Sequence, residues 1–189
     1  IPILCEMEQH LDCIIPRGGK PLIETVVRHA RMPVIKHNDG ICAAYIDQEA
    51  NLKMASELVF NAKHQRPSAC NALETVLLHE TIAAEFLATA GKKLLQEGIE
   101  LRCSSELLAL VPDSLRKEFS QQLKKATEED FRMEFLALTL ALKTVTSVEE
   151  AIDHIISHGS HHSDLIVTED QQKAEQFLRE VDSATVYWN

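Results

Sequence analysis

The chain has 189 residues, 45% of them apolar and 25% charged, enough for one sizeable domain or one domain with part of another. Its net charge of −10, with both signs mixed along the chain, argues against a nucleic-acid or anionic-membrane surface as its main business. No apolar run approaches the ~20 residues of a membrane span, and no signal peptide is visible. Cys5, Cys13, Cys42, Cys70 and Cys103 form no CxxC pair, so they read as reduced thiols of a cytoplasmic protein.

Short β-branched or apolar runs alternate with longer amphipathic ones. "LDCIIP" (11–16) predicts a buried strand, and "KPLIETVVRHAR" (20–31) a helix that begins after Gly18-Gly19. "MPVIKH" and "ICAAYID" predict two strands broken by the turn Asn38-Asp39-Gly40. Leu52, Ala55, Leu58, Val59 and Ala62 then recur at helical spacing. The pattern continues with strand "TVLLHE", a helix over 81–97, strand "IELRC", a short helix and a polar connection over 113–130. "LALTLALKTV" predicts a long strand, followed by helix "SVEEAIDHIISH", strand "DLIVT", helix "EDQQKAEQFLREV" and strand "ATVYW". Ser147 followed by Glu150 is a capping signature. This alternation implies an α/β fold, with a largely parallel sheet covered by helices on both faces. Ile1 already sits in an apolar segment and the chain stops on a strand just completed, so we expect a fragment of a longer protein.

Cys70 differs from the other cysteines in its surroundings. In "NAKHQRPSACNALETVLLHE", Pro67 and Ser68 disfavour a continuing helix and put the thiol in a polar turn. The residues after it can open a new helical turn, whose free N–H groups would lower the thiol pKa and could hold an oxyanion. Cys13 and Cys42, by contrast, lie inside apolar runs and read as packing residues. "IIPRGGK" has the strand–glycine–helix layout that presents backbone amides to a phosphate, although an ordinary corner has the same layout. His158, His161 and His162 match no standard zinc spacing, so no metal is assigned and a solvated helix end is the better reading. His64 and His79 flank the cysteine segment, and either is a candidate base for it.

Six stretches occur together in one order: "IIPRGGKPLI", "PVIKHNDGICAAYID", "NAKHQRPSACNALETVLLH", "EEDFRMEFLALTLALKTV", "HGSHHSDLIVTED" and "EVDSATVYWN". With these, essentially the whole chain resembles the γ-glutamyl phosphate reductase (glutamate-5-semialdehyde dehydrogenase) family, a divergent branch of the aldehyde dehydrogenase superfamily. The resemblance implies an aldehyde dehydrogenase-like catalytic domain over 37–189, incomplete at its C-terminus, with 1–36 as the end of an NADP-binding domain. It places Cys70 at the nucleophile, with the Asn71 amide beside the acyl carbon. It places Glu134 at the carboxylate that grips the nicotinamide ribose, and Arg17, Gly18 and Gly19 at the cofactor phosphates. Arg66 and Ser68 are candidate contacts for the substrate's carboxylate or phosphate.

Hydrolytic aldehyde dehydrogenases carry a water-activating glutamate where this chain has "KHNDG", with His37 best aligned. An enzyme working through a thioester has no use for such a base, although a histidine can also serve as one. The implied reaction is NADPH-dependent reduction of L-glutamyl 5-phosphate to L-glutamate 5-semialdehyde in proline biosynthesis. A homo-oligomer and functional coupling to glutamate 5-kinase are expected with it. The reductase half of a bifunctional pyrroline-5-carboxylate synthetase, a hydrolytic aldehyde dehydrogenase and a catalytically silent module of the same fold remain open.

Overall fold

A computed structural model describes residues 1–36 and 39–189, which separate into two compact units, 1–38 and 39–189. The predicted turn at 38–40 and the aligned His37 therefore fall partly or wholly outside the described residues.

The first unit holds the short helix α1 (Pro2–Cys5) and the ten-residue α2 (Lys20–His29). Pro21 in the first turn of α2 brings a preset φ and needs no N–H partner there, while Ile23 and Val26 are buried. The two strands expected on either side of α2 are not formed. Among the described residues a single parallel bridge joins Ile14 to Val34, and Ile15 and Ile35 are exposed. Pro16 and Pro33 lack the N–H a ladder requires, which holds these runs to one rung. Cys13 is exposed, not packed in a strand as its apolar flanks implied.

The second unit is a seven-stranded sheet in which every pairing is parallel. Its strands are β1 (Cys42–Ile46), β2 (Leu73–His79), β3 (Glu100–Cys103), β4 (Leu123–Lys125), β5 (Thr139–Val145), β6 (Ser163–Val167) and β7 (Thr185–Trp188), in spatial order β4-β3-β5-β2-β1-β6-β7. Every residue of β1 and β2 is buried, as central strands covered on both faces should be. One face packs against α3 (Leu52–His64), α4 (Glu80–Phe86), α5 (Lys92–Gln96), α6 (Ser105–Leu110) and α7 (Asp113–Glu118) through Val59, Phe86, Leu94, Leu107 and Leu115. The other packs against α8 (Val148–His158) and α9 (Gln171–Glu180) through Ile152, Ile155 and Phe177.

Side-chain caps fix where the helices begin. Asn51, Ser147 and Asp170 accept backbone N–H groups at the starts of α3, α8 and α9, and the Thr146 amide donates to the Glu150 carboxylate. The helix expected over 81–97 widens into a π-turn at Leu87–Gly91, where the Thr89 hydroxyl donates to the Glu85 carbonyl. The polar connection over 113–130 contains α7, the three-residue β4 and a 3-10 turn at Glu128–Arg132. Beyond the carboxyl end of β1, the fully buried Asp47 accepts from Tyr45, Thr168 and Lys173 at 2.8–3.0 Å and ties β1 to β6 and α9. Burial opposes its ionisation, but these donors more than offset that and hold its pKa below the usual carboxylate range.

His154 on α8 is 5% exposed, stacked on His158 and edge-on to Phe131, and neither ring nitrogen has a partner among the described residues. Burial, with the fields of His158, Lys143 and Arg132, pushes its pKa down to about 3. The unfolded chain takes up this proton near the ordinary 6.5, so it binds more protons than the folded chain between those two values. Stability therefore falls as pH drops through that window. We predict that His154→Leu raises stability by roughly 2 kcal/mol at pH 5, from ~1.4 kcal/mol per pKa unit, and by less at pH 8. Thermal melts at the two pH values check this, and equal gains at both would contradict it.

Candidate active site

In a parallel sheet all loops that enter strands lie along one edge. The segments ahead of β1, β2, β5 and β6 therefore meet at the amino edge of the four central strands. They carry Gly40, Cys70, Glu134 and His162. The turn that holds Cys70 begins where α3 ends. The Ala69 amide donates to the Arg66 carbonyl at 3.0 Å and the Ala72 amide to the Ala69 carbonyl at 2.9 Å, and the chain then enters β2 at Leu73. No helix follows Cys70. The residues after it alternate between two buried faces of the sheet, and that burial overrides the helical propensity of "NALE". The helix N-terminus expected directly after Cys70 is therefore not formed.

Cys70 is exposed, as are Asn71, Arg66 and Ser68 on the same turn. The other two thiols of this unit are buried. Cys103 is pushed up to about 12 by burial, and Cys42 to about 12 by burial and the Asp164 charge. Both stay protonated at neutral pH, which leaves Cys70 as this unit's accessible thiol. The Cys42 thiol donates to the Cys70 carbonyl at 3.6 Å and lies 3.9 Å from His162 Nδ1.

Gly40 is where Cys70 and Glu134 come together. A Cβ at residue 40 would stand 1.9 Å from the Cys70 carbonyl oxygen and 2.9 Å from Glu134 Oε1. The approach is possible only because the residue is glycine. The sequence showed "NDG" as a turn but gave no sign of this packing. Glu134 is half-buried in the segment ahead of β5. In that segment Leu136 has φ +52, an unusual value for a leucine.

Behind these groups lies an ion pair that the sequence reading passed over. Lys63, near the end of α3, donates to Glu74 Oε2 at 2.6 Å, and neither side chain has any exposure. Glu74 Oε1 accepts the Leu136 amide at 3.3 Å. Burial pushes Glu74 up to about 7 against the pull of Lys63 and the loop amides, and burial likewise lowers Lys63. A carboxylate inside the apolar run "ALETVLLH" was the available signal, because a buried charge needs a partner.

Arg17, Gly18 and Gly19 lie in the first unit, ahead of α2. Gly18 has φ +152, and Gly19 caps the helix without a side-chain hydrogen bond. A ten-residue helix start with Arg17 beside it suits a phosphate in kind. Of the flanking histidines, His64 stacks on Phe60 and His79 caps α4 through the Thr81 amide, so both have structural roles. His161 Nδ1 donates to the Asp182 carbonyl, and His158 lies 3.6 Å from Glu128. Among the described residues no group of three or more His, Cys, Asp or Glu is placed to hold a metal ion. Nor is any helix among them long and apolar enough to cross a membrane.

A cavity of about 510 Å³ opens at the opposite, carboxyl edge, beside Glu80, Ser104, Glu106, Lys143, Thr146 and Glu150. It contains no thiol, and its carboxylates would repel a phosphorylated acid. The amino edge is therefore the better candidate.

No family model matches the chain. Individual proteins do. The γ-glutamyl phosphate reductase of Aquifex aeolicus is 49% identical over 186 residues, covering 98% of this chain and 42% of the relative. The crystal structure of the Thermotoga maritima γ-glutamyl phosphate reductase superposes with a TM-score of 0.85 at 38% identity, over 99% of this chain and 43% of that one. The chain is homologous to a segment of γ-glutamyl phosphate reductases. It spans about 42% of the length of the curated relatives it matches. An acetylating aldehyde dehydrogenase from Geobacillus thermoglucosidasius, at 17% identity and a TM-score of 0.71 over 99% of this chain and 48% of its own, shares the fold.

Proposed function

We propose that this chain supplies the cysteine-bearing part of a γ-glutamyl phosphate reductase. The reaction is reduction of L-glutamyl 5-phosphate by NADPH to L-glutamate 5-semialdehyde and phosphate, the second step of proline biosynthesis. The observation that carries the reading is the convergence of the exposed Cys70 turn and the Glu134 carboxylate on Gly40. A nucleophile and a carboxylate suited to ribose hydroxyls, carried on turns that pack against one another, are what a thioester reductase requires.

In this reading Cys70, as the thiolate, attacks the acyl carbon. The C–S bond forms, the C–O bond to phosphate breaks, and phosphate leaves with the electron pair. A thioester rather than an ester is needed because it is the better hydride acceptor, and because a thiol ionises far more readily than an alcohol near neutral pH. The bound cofactor supplies the hydride. Asn71, directly after the nucleophile, donates its amide to the oxygen that becomes negative, and losing one such donor typically costs ~10²-fold. When that oxygen re-forms the carbonyl, Cys70 leaves as the thiolate. Glu134 would accept from the ribose hydroxyls of a bound nicotinamide cofactor. Arg17, Gly18 and Gly19 meet the cofactor phosphates, and Arg66 and Ser68 meet the substrate's anionic groups. The first unit is assigned to the nucleotide-binding domain and the second to the catalytic domain of a cytoplasmic homo-oligomer. Coupling to glutamate 5-kinase follows from the lability of an acyl phosphate in water.

Phosphate dependence tests the reaction class. With the protein at the full length of its relatives, NADP⁺ reduction by L-glutamate 5-semialdehyde should require phosphate or arsenate and fall at least ~10²-fold without them. Undiminished turnover in a phosphate-free buffer would mark a hydrolytic aldehyde dehydrogenase instead.

A further inference from the structure

We infer that the buried Lys63–Glu74 pair is a positioning device that sets the place of Glu134 relative to Cys70, an inference that rests on the reading of those two residues above. Lys63 belongs to the helix that launches the Cys70 turn, and Glu74 to the strand that receives it. Glu74 holds both flanks of that turn through Lys63 at 2.6 Å, and its second oxygen holds the Leu136 amide at 3.3 Å, two residues beyond Glu134. The Phe135 ring between them lies under Lys63 Nζ at 5.9 Å and Arg102 Cζ at 4.9 Å. One carboxylate thus spans the two loops whose residues the reaction must bring together. Leu136, whose amide it accepts, lies in the left-handed backbone region, a conformation that persists only when its surroundings impose it. Fold stability is a weak explanation for such a pair, because apolar side chains of similar volume commonly replace a buried ion pair at no loss. Geometric specification is the function that remains.

The test is a double-mutant cycle on NADPH affinity, measured by fluorescence titration of the protein at its relatives' full length, alongside the rate of Cys70 alkylation by iodoacetamide. Glu74→Gln keeps the shape but leaves one amide facing both Lys63 and the Leu136 N–H, so one contact is lost. We expect its NADPH Kd to rise ~10-fold while alkylation changes less than ~2-fold. We expect Glu74→Gln/Glu134→Gln to bind no more weakly than Glu134→Gln alone, since a residue acting through Glu134 has nothing further to lose. Additive losses, or an unchanged Kd in Glu74→Gln, would overturn the inference. Lys63→Met with Glu74→Leu removes both charges and is expected to fold. It should show the same raised Kd, and a wild-type Kd would again overturn the inference. The underlying reading fails separately. If NADPH binds but the acyl phosphate is not reduced, the reaction is misassigned while the cycle still reports on positioning. If Glu134→Gln leaves the Kd unchanged, Glu134 has no ribose role and the inference falls with it.

Discussion

Cys70→Ser in the protein at its relatives' full length is expected to lower kcat/KM for acyl-phosphate reduction at least ~10³-fold, or ~4 kcal/mol of transition-state stabilisation. The substitution is nearly isosteric and the residue is exposed, so the fold should not suffer. The loss is chemical: a serine hydroxyl stays protonated where a thiol ionises, and an ester accepts hydride poorly. Cys13→Ser is the matched control, since Cys13 is also exposed but carries no proposed role. It should keep activity within ~2-fold. Comparable losses in both variants would mean that thiol chemistry is not localised at Cys70.

Gly40→Ala is expected to cost about 10²-fold in kcat. The new methyl would meet the Cys70 backbone carbonyl at 1.9 Å and its carbonyl carbon at 2.8 Å, and backbone atoms cannot rotate away. Either the segment ahead of β1 or the Cys70 turn must move by on the order of 1 Å, a misplacement that commonly costs ~10²-fold in rate. Gly98→Ala distinguishes this from general destabilisation. At φ +83 an alanine is strained, yet nothing lies within 4 Å of its methyl, so the melting temperature should drop while kcat holds. If Gly40→Ala retains full kcat, the packing at residue 40 does not govern the site.

The fold of the second unit was legible because its strands are central and parallel. β1, β2 and β5 are apolar runs bounded by amphipathic helices, and the cap Ser147 of one of them is written in the sequence. The first unit was misread where apolar composition suggested strands and Pro16 and Pro33 allow only one rung. The Cys70 turn was legible from Pro67-Ser68 and the strand "TVLLHE" from its apolar run, but the extended course of "NALE" between them was not, because tertiary burial decides whether those residues coil or extend. Asn71, Arg66 and Ser68 shared the turn by proximity alone. What stayed hidden was everything that depends on loops meeting across the sheet edge: the fit of Gly40 under Cys70 and Glu134, the Cys42–His162 neighbourhood and the Lys63–Glu74 pair. Periodicity predicts elements one at a time and carries no information on which loops share an edge.

The most direct measurement is peptide mass spectrometry of the protein, at the length of its relatives, after acid quenching from L-glutamyl 5-phosphate without nicotinamide. The account predicts a glutamyl thioester on the peptide that contains Cys70 and its disappearance when NADPH is added before the quench. An adduct on another residue, or none at all from an enzyme that turns over when NADPH is present, would contradict it.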